Sequence, residues 1–142
     1  MTDDVELLKE CDAGVKMGIQ GISNVIDNAY GEDFKNMLEK YEGEHITILN
    51  KIHKKLDEFG ASGKEPNPMA EVSSKMSASM KLMVNDTDEK IADLMMDGCN
   101  MGIKSVSKYM NEYAAASKEV MDIANNVITL EQDFMNELRQ YL

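Results

Sequence analysis

Gly14-Val15-Lys16-Met17-Gly18-Ile19 returns 84 positions later as Gly98-Cys99-Asn100-Met101-Gly102-Ile103, and Ser23 returns as Ser107. A phrase repeated at one fixed offset marks a structural unit used twice. Each copy lies inside a stretch whose apolar residues recur every three or four positions, and each is followed by a second such stretch. The spacing therefore predicts a helical hairpin and its repeat.

Working outward from the two copies, helix 1 is expected over about Asp3 to Ala29. Its core face is Leu8, Cys11, Val15, Ile19, Ile22, Val25 and Ile26. Gly31 interrupts the pattern, and helix 2 follows over about Glu32 to Phe59. Its stripe is Phe34, Leu38, Tyr41, His45, Ile48, Leu49, Ile52, Leu56 and Phe59. Both prolines of the chain fall at Pro66 and Pro68, so a break is expected from Gly60 to Pro68. A short helix beginning near Pro68, with Met69, Val72, Met76, Met80 and Met83 on one side, is expected within the connection. Asp86 and Glu89 have the spacing of a capping box ahead of helix 3, over about Asp88 to Tyr113. Helix 4 is expected over about Ser117 to Tyr141.

Helices of about 25 residues are about 37 Å long. The tight joints within each pair predict antiparallel hairpins, 3–59 and 88–141. The long connection, 60–87, is expected to travel back along the bundle and set helix 3 parallel to helix 2. The chain thus reads as all-α, one helical-bundle domain over 1–142.

Bulk properties narrow the function. A net charge of −11 argues against nucleic acid or an anionic membrane as partner, since both are polyanions. Of 15 basic residues only Arg139 is arginine, so bidentate anion clamps are nearly absent. No apolar run approaches the roughly 18 residues of a membrane span. The acidic Met1-Thr2-Asp3-Asp4 lacks the layout of a signal peptide, and two helix-interior cysteines do not make a disulfide scaffold. A cytoplasmic protein with reduced thiols is the expectation, with a homodimer or another protein as partner.

Two repeated hairpins, a long crossover and Glu42-Gly43-Glu44-His45 on helix 2 together resemble the ferritin-like superfamily of four-helix bundles. The resemblance spans nearly the whole chain in architecture and is specific at that one motif. It implies a di-metal centre built from carboxylates of helices 1 and 3 and Glu-x-x-His of helices 2 and 4. Aligning the hairpins sets Glu42 against Glu131 and His45 against Phe134, so the second motif has no imidazole. Helices 1 and 3 carry Gly, Cys, Met and aliphatic residues where bridging carboxylates would stand. Glu10 and Asp12 lie about 80 to 120° from the centre of helix 1's stripe, at about 100° per residue. A complete di-iron site, with ferroxidase or oxygenase chemistry, is therefore not expected.

Two readings remain for the residues that do face inward. Glu42, His45 and Glu131 could hold one Fe, Mn or Zn ion, with water or Asp12 completing the sphere. The plainer reading is a buried His45–Glu131 hydrogen-bonded pair with no cofactor. His53 points about 100° from the stripe centre and is expected at the surface.

The 13 methionines and two cysteines raise a soft-metal option at Cys11, Cys99 and Met95, but Met at helical spacing ordinarily fills core. Cys11 and Cys99 sit one turn apart in the repeat frame, which leaves a redox pair open beside two inert buried thiols. Gly14, Gly18, Gly98 and Gly102 each cost about 1 kcal/mol against Ala in a helix, so their matched positions need a physical reason. Close approach of two helix backbones is the leading one, and room for a ligand is the other. The functional expectation is a non-enzymatic binding, structural, stress-associated or coat-associated bundle with a vestigial metal centre. The alternative is a protein storing or using one metal ion.

Overall fold

The apolar periodicity becomes four long helices in the computed structural model, which describes residues 2–63 and 87–142. Helix α1 covers Thr2–Val25, α2 Glu32–Glu58, α3 Asp88–Glu112 and α4 Lys118–Leu138, and the described residues include no strand. Short 3₁₀ turns, Ile26–Asn28 and Arg139–Tyr141, tighten the ends of α1 and α4 where the sequence predicts continued α-helix. The short helix expected from Pro68 and the Asp86 end of the expected capping box lie outside the described residues.

Local chemistry sets the boundaries. Thr87 caps α3, its hydroxyl accepting from the Lys90 amide, one residue later than the box read from Asp86 and Glu89. Ser117 caps α4 by accepting from the Val120 amide at 3.3 Å. At the end of α2, Ala61 N–H donates to the Leu56 carbonyl and Gly60 N–H to that of Asp57. With Gly60 at φ +68° this is a Schellman stop, a conformation that favours glycine.

Cross-helix bonds fix the directions. Lys55 near the end of α2 meets Glu119 at the start of α4, and Lys40 near the start of α2 meets Glu137 near the end of α4. Asp3 and Asp4 at the start of α1 accept from the Ala115 and Ser117 amides beyond the end of α3. Asp88, in the first turn of α3, accepts from Tyr30 and Gly31 beyond the end of α1. So α1 is antiparallel to α3 and α2 to α4, while α3 runs parallel to α2, in the direction read from the long connection.

Two apolar clusters fill the bundle. One end holds Ile22, Val25, Phe34, Leu38, Tyr41, Ile91, Phe134 and Leu138. The other holds Leu7, Leu8, Cys11, Val15, Ile52, Leu56, Val120 and Val127. In α2, His45 falls between Tyr41 of the first cluster and Ile52 of the second. In α4, Glu131 falls between Phe134 and Val127. The polar pair thus stands at the seam of the two clusters.

Candidate functional site

His45 is 1% exposed and Glu131 8%, so each must find its partners inside the protein. The His45 ring does so at both nitrogens. Nδ1 lies 2.6 Å from the Tyr41 carbonyl, and because a carbonyl only accepts, that nitrogen carries a hydrogen. Nε2 lies 2.5 Å from Oε1 of Glu131. Burial acts against the charged ring, but the Glu131 carboxylate outweighs it and holds His45 above the ordinary imidazole range. The ring therefore favours the imidazolium form, donating from both nitrogens.

Cys99 adds a third member. Burial first, and then the charge of Glu131 and the hydrogen bond to it, raise the Cys99 thiol so that it stays protonated and donates to that carboxylate. Phe134, which the alignment of the two hairpins sets against His45, stacks on Tyr41 with ring centroids 4.6 Å apart. Its ring meets His45 edge-on, with centroids 6.1 Å apart.

The other residues proposed for a metal sphere go elsewhere. Glu42 accepts from the Ser23 hydroxyl at 2.8 Å on the outer side of the α1–α2 pair. Asp12 is fully buried, although its helical angle puts it off the stripe. Its two oxygens are taken by His53 Nε2 at 2.5 Å and Lys16 Nζ at 2.8 Å. His53 is accordingly a half-exposed partner of Asp12, not a plain surface residue. Eight residues along α2 separate the two histidines, about 12 Å of rise, so Asp12 cannot complete a sphere at His45. No three His, Cys, Asp or Glu side chains converge as a metal set among the described residues. The donors present at His45 do not fit a bound ion.

The glycines prove to serve side chains. A Cβ on Gly18 would stand 2.9 Å from Cδ2 of His45, and one on Gly102 would meet Cγ of Glu131 at 3.6 Å. The notch expected to bring helix backbones together instead receives the two members of the buried pair, one per hairpin. Gly14 meets nothing within 4 Å. It opens onto a cavity of about 60 Å³ between α1 and α3. By water-sized volumes this is room for on the order of four waters, or for the end of a small ligand. Gly14, Met17, Gly18 and Gly21 line it from α1, and Met95, Gly98, Met101, Gly102 and Ser105 from α3. His45, Glu131 and Phe134 form its inner wall.

Cys11 and Cys99 are both buried and free, and they belong to different clusters. Met95 shares the cavity wall with Cys99, while Cys11 does not line it. Burial, and then Glu10 and Asp12, push the Cys11 thiol up to about 12, the opposite of what a nucleophile needs.

Sequence periodicity missed the two carboxylate clamps. Asp4 accepts from Ser117 N–H at 2.6 Å, and Asp88 from Tyr30 and Gly31 N–H at 2.8 Å each. Asp4 and Asp88 are separated by the same 84 positions as the glycine phrase, which is the signal that could have found them.

Comparison with family models, with curated proteins and with solved structures gives no match. No helix among the described residues is long and apolar enough to cross a membrane.

Proposed function

We propose that this chain is a non-enzymatic, ferritin-like binding bundle. In this reading the coordination centre of such bundles has degenerated to the His45–Glu131 pair, and the interior serves to hold a small guest between α1 and α3. The observation that carries it is the cavity at the repeated glycines, with that pair as its inner wall. Four mid-helix glycines oppose helix stability by about 1 kcal/mol each. A helix pair selected only for packing would fill the space beside Gly14, where a side chain meets nothing.

The remaining chemistry agrees with binding rather than catalysis. Both thiols are held protonated, and both nitrogens of His45 are engaged within the fold. A nucleophile needs an adjacent free base, and His45 is not one.

Xenon under pressure tests the reading, since it enters apolar cavities without needing any polar contact. Backbone amide shifts of Gly14, Gly98 and Gly102 should saturate with xenon in the native protein and stay still in Gly14→Leu. Elemental analysis after loading with Fe, Mn and Zn should find no stoichiometric metal. One ion per chain, lost in His45→Ala, would overturn the proposal in favour of a metal-binding role.

A further inference from the structure

The outline of the cavity narrows the guest. Gly14, Gly18 and Gly21 line it from α1, and Gly98, Gly102 and Ser105 from α3, each trio set at i, i+4 and i+7. That spacing keeps three small residues on one face of each helix. Seven residue steps carry the face along about 10 Å of axis. The cavity of about 60 Å³ has room for on the order of four waters. Hydrogen-bonded waters stand about 2.8 Å apart, so four of them drawn out over that length form a single file.

The walls suit hydrocarbon. A helix bonds its own N–H and C=O groups internally, so its glycine face presents chiefly Cα–H surface. Met17, Met95 and Met101 flank the glycines, and an unbranched thioether with three rotatable bonds adapts to an irregular neighbour. Behind Gly18 and Gly102, His45 and Glu131 meet at 2.5 Å and balance one another. A guest passing that pair has no charge to supply.

We infer that the guest is an unbranched alkyl chain, lying in single file between the small-residue faces of α1 and α3. This inference rests on the cavity proposed above. It goes further by naming the outline and chemistry of the guest. An extended chain advances about 1.2 Å per bond, by the span of three backbone bonds. About eight carbons would therefore run the length of those faces, with rotation of the methionines supplying the width.

Four neutral alcohols test it: n-butanol, n-hexanol, n-octanol and tert-butylethanol, each titrated into the full-length protein and followed by amide shifts at Gly14, Gly98 and Gly102. The last has the atoms of n-hexanol in a branched outline. Affinity is expected to rise about fourfold per methylene from butanol to octanol, the equivalent of about 0.8 kcal/mol per buried CH₂. Hexanol should bind saturably and at least tenfold tighter than tert-butylethanol. Ser105→Val, which fills one end of the cavity, should weaken octanol at least fivefold and leave butanol within twofold. Tert-butylethanol binding as tightly as hexanol would overturn the chain inference and leave the cavity reading intact, provided xenon still enters. Affinity that stops rising at butanol would overturn it as well, as would equal losses for octanol and butanol in Ser105→Val. If neither xenon nor any of the four alcohols enters, both readings fall.

Discussion

Gly18 lies against the ring of His45 so closely that a single added carbon would sit 2.9 Å from Cδ2. The ring cannot retreat, because Tyr41 and Glu131 hold its two nitrogens. Gly18→Ala should therefore destabilise the protein. Overpacking costs about 1–3 kcal/mol, and the better helix propensity of Ala returns about 1 kcal/mol of that. Gly14→Ala meets open space and should stabilise by about 0.5–1 kcal/mol. Gly102→Ala, whose nearest neighbour would be at an ordinary 3.6 Å, should resemble Gly14→Ala. Urea unfolding of the three variants checks the order, and equal effects at positions 14 and 18 would contradict the packing described.

Removing one member of the buried pair leaves the other without its charge partner, since only a carbonyl (Tyr41) or a thiol (Cys99) remains beside it. Glu131→Leu and His45→Leu should each cost about 3–5 kcal/mol. The double replacement should cost less than either single change, because no uncompensated charge remains. A double-mutant cycle by denaturant unfolding measures this, and strict additivity would mean the two side chains do not interact.

The sign of the pH dependence follows from the raised His45. A group whose folded pKa lies above its unfolded value of about 6.5 gives its full stabilisation below that pH. It loses that stabilisation as pH rises through the higher folded value. The stability difference between the native chain and His45→Gln should therefore be largest near pH 6 and shrink toward alkaline pH. The His45 ring resonances should titrate with a midpoint above 6.5. A difference that grows with pH would reverse the assignment of charge to the ring.

Neither thiol should react in the folded protein. Cys11, raised to about 12, and Cys99, raised by burial and by Glu131, present almost no thiolate near pH 8. A disulfide-exchange reagent at that pH is expected to label two thiols per chain only after unfolding. Rapid labelling of one in native buffer would place that cysteine outside the core.

Much of this arrangement was legible because helical periodicity is a local property. The four helices, their approximate ends, and the inward placement of His45 and Glu131 all follow from 100° steps along the chain. Asp12 is buried off the predicted stripe because α1 packs against α2, α3 and α4 together, which widens its buried arc. The carboxylate tolerates that depth since His53 and Lys16 meet both of its oxygens. Glu42 meets Ser23 on another helix, and no local spacing encodes that meeting. The glycines were recognised as meaningful, yet their occupants stand 27 and 29 positions away, where sequence gives no angle. Tertiary partners decided each of these cases.

The paired clamps carry a consequence of their own. Asp4 secures the bend of the second hairpin while Asp88 secures the bend of the first, so each half completes the other's unsatisfied amides reciprocally. That exchange is the self-complementary handshake of a two-fold dimer, written here within one polypeptide.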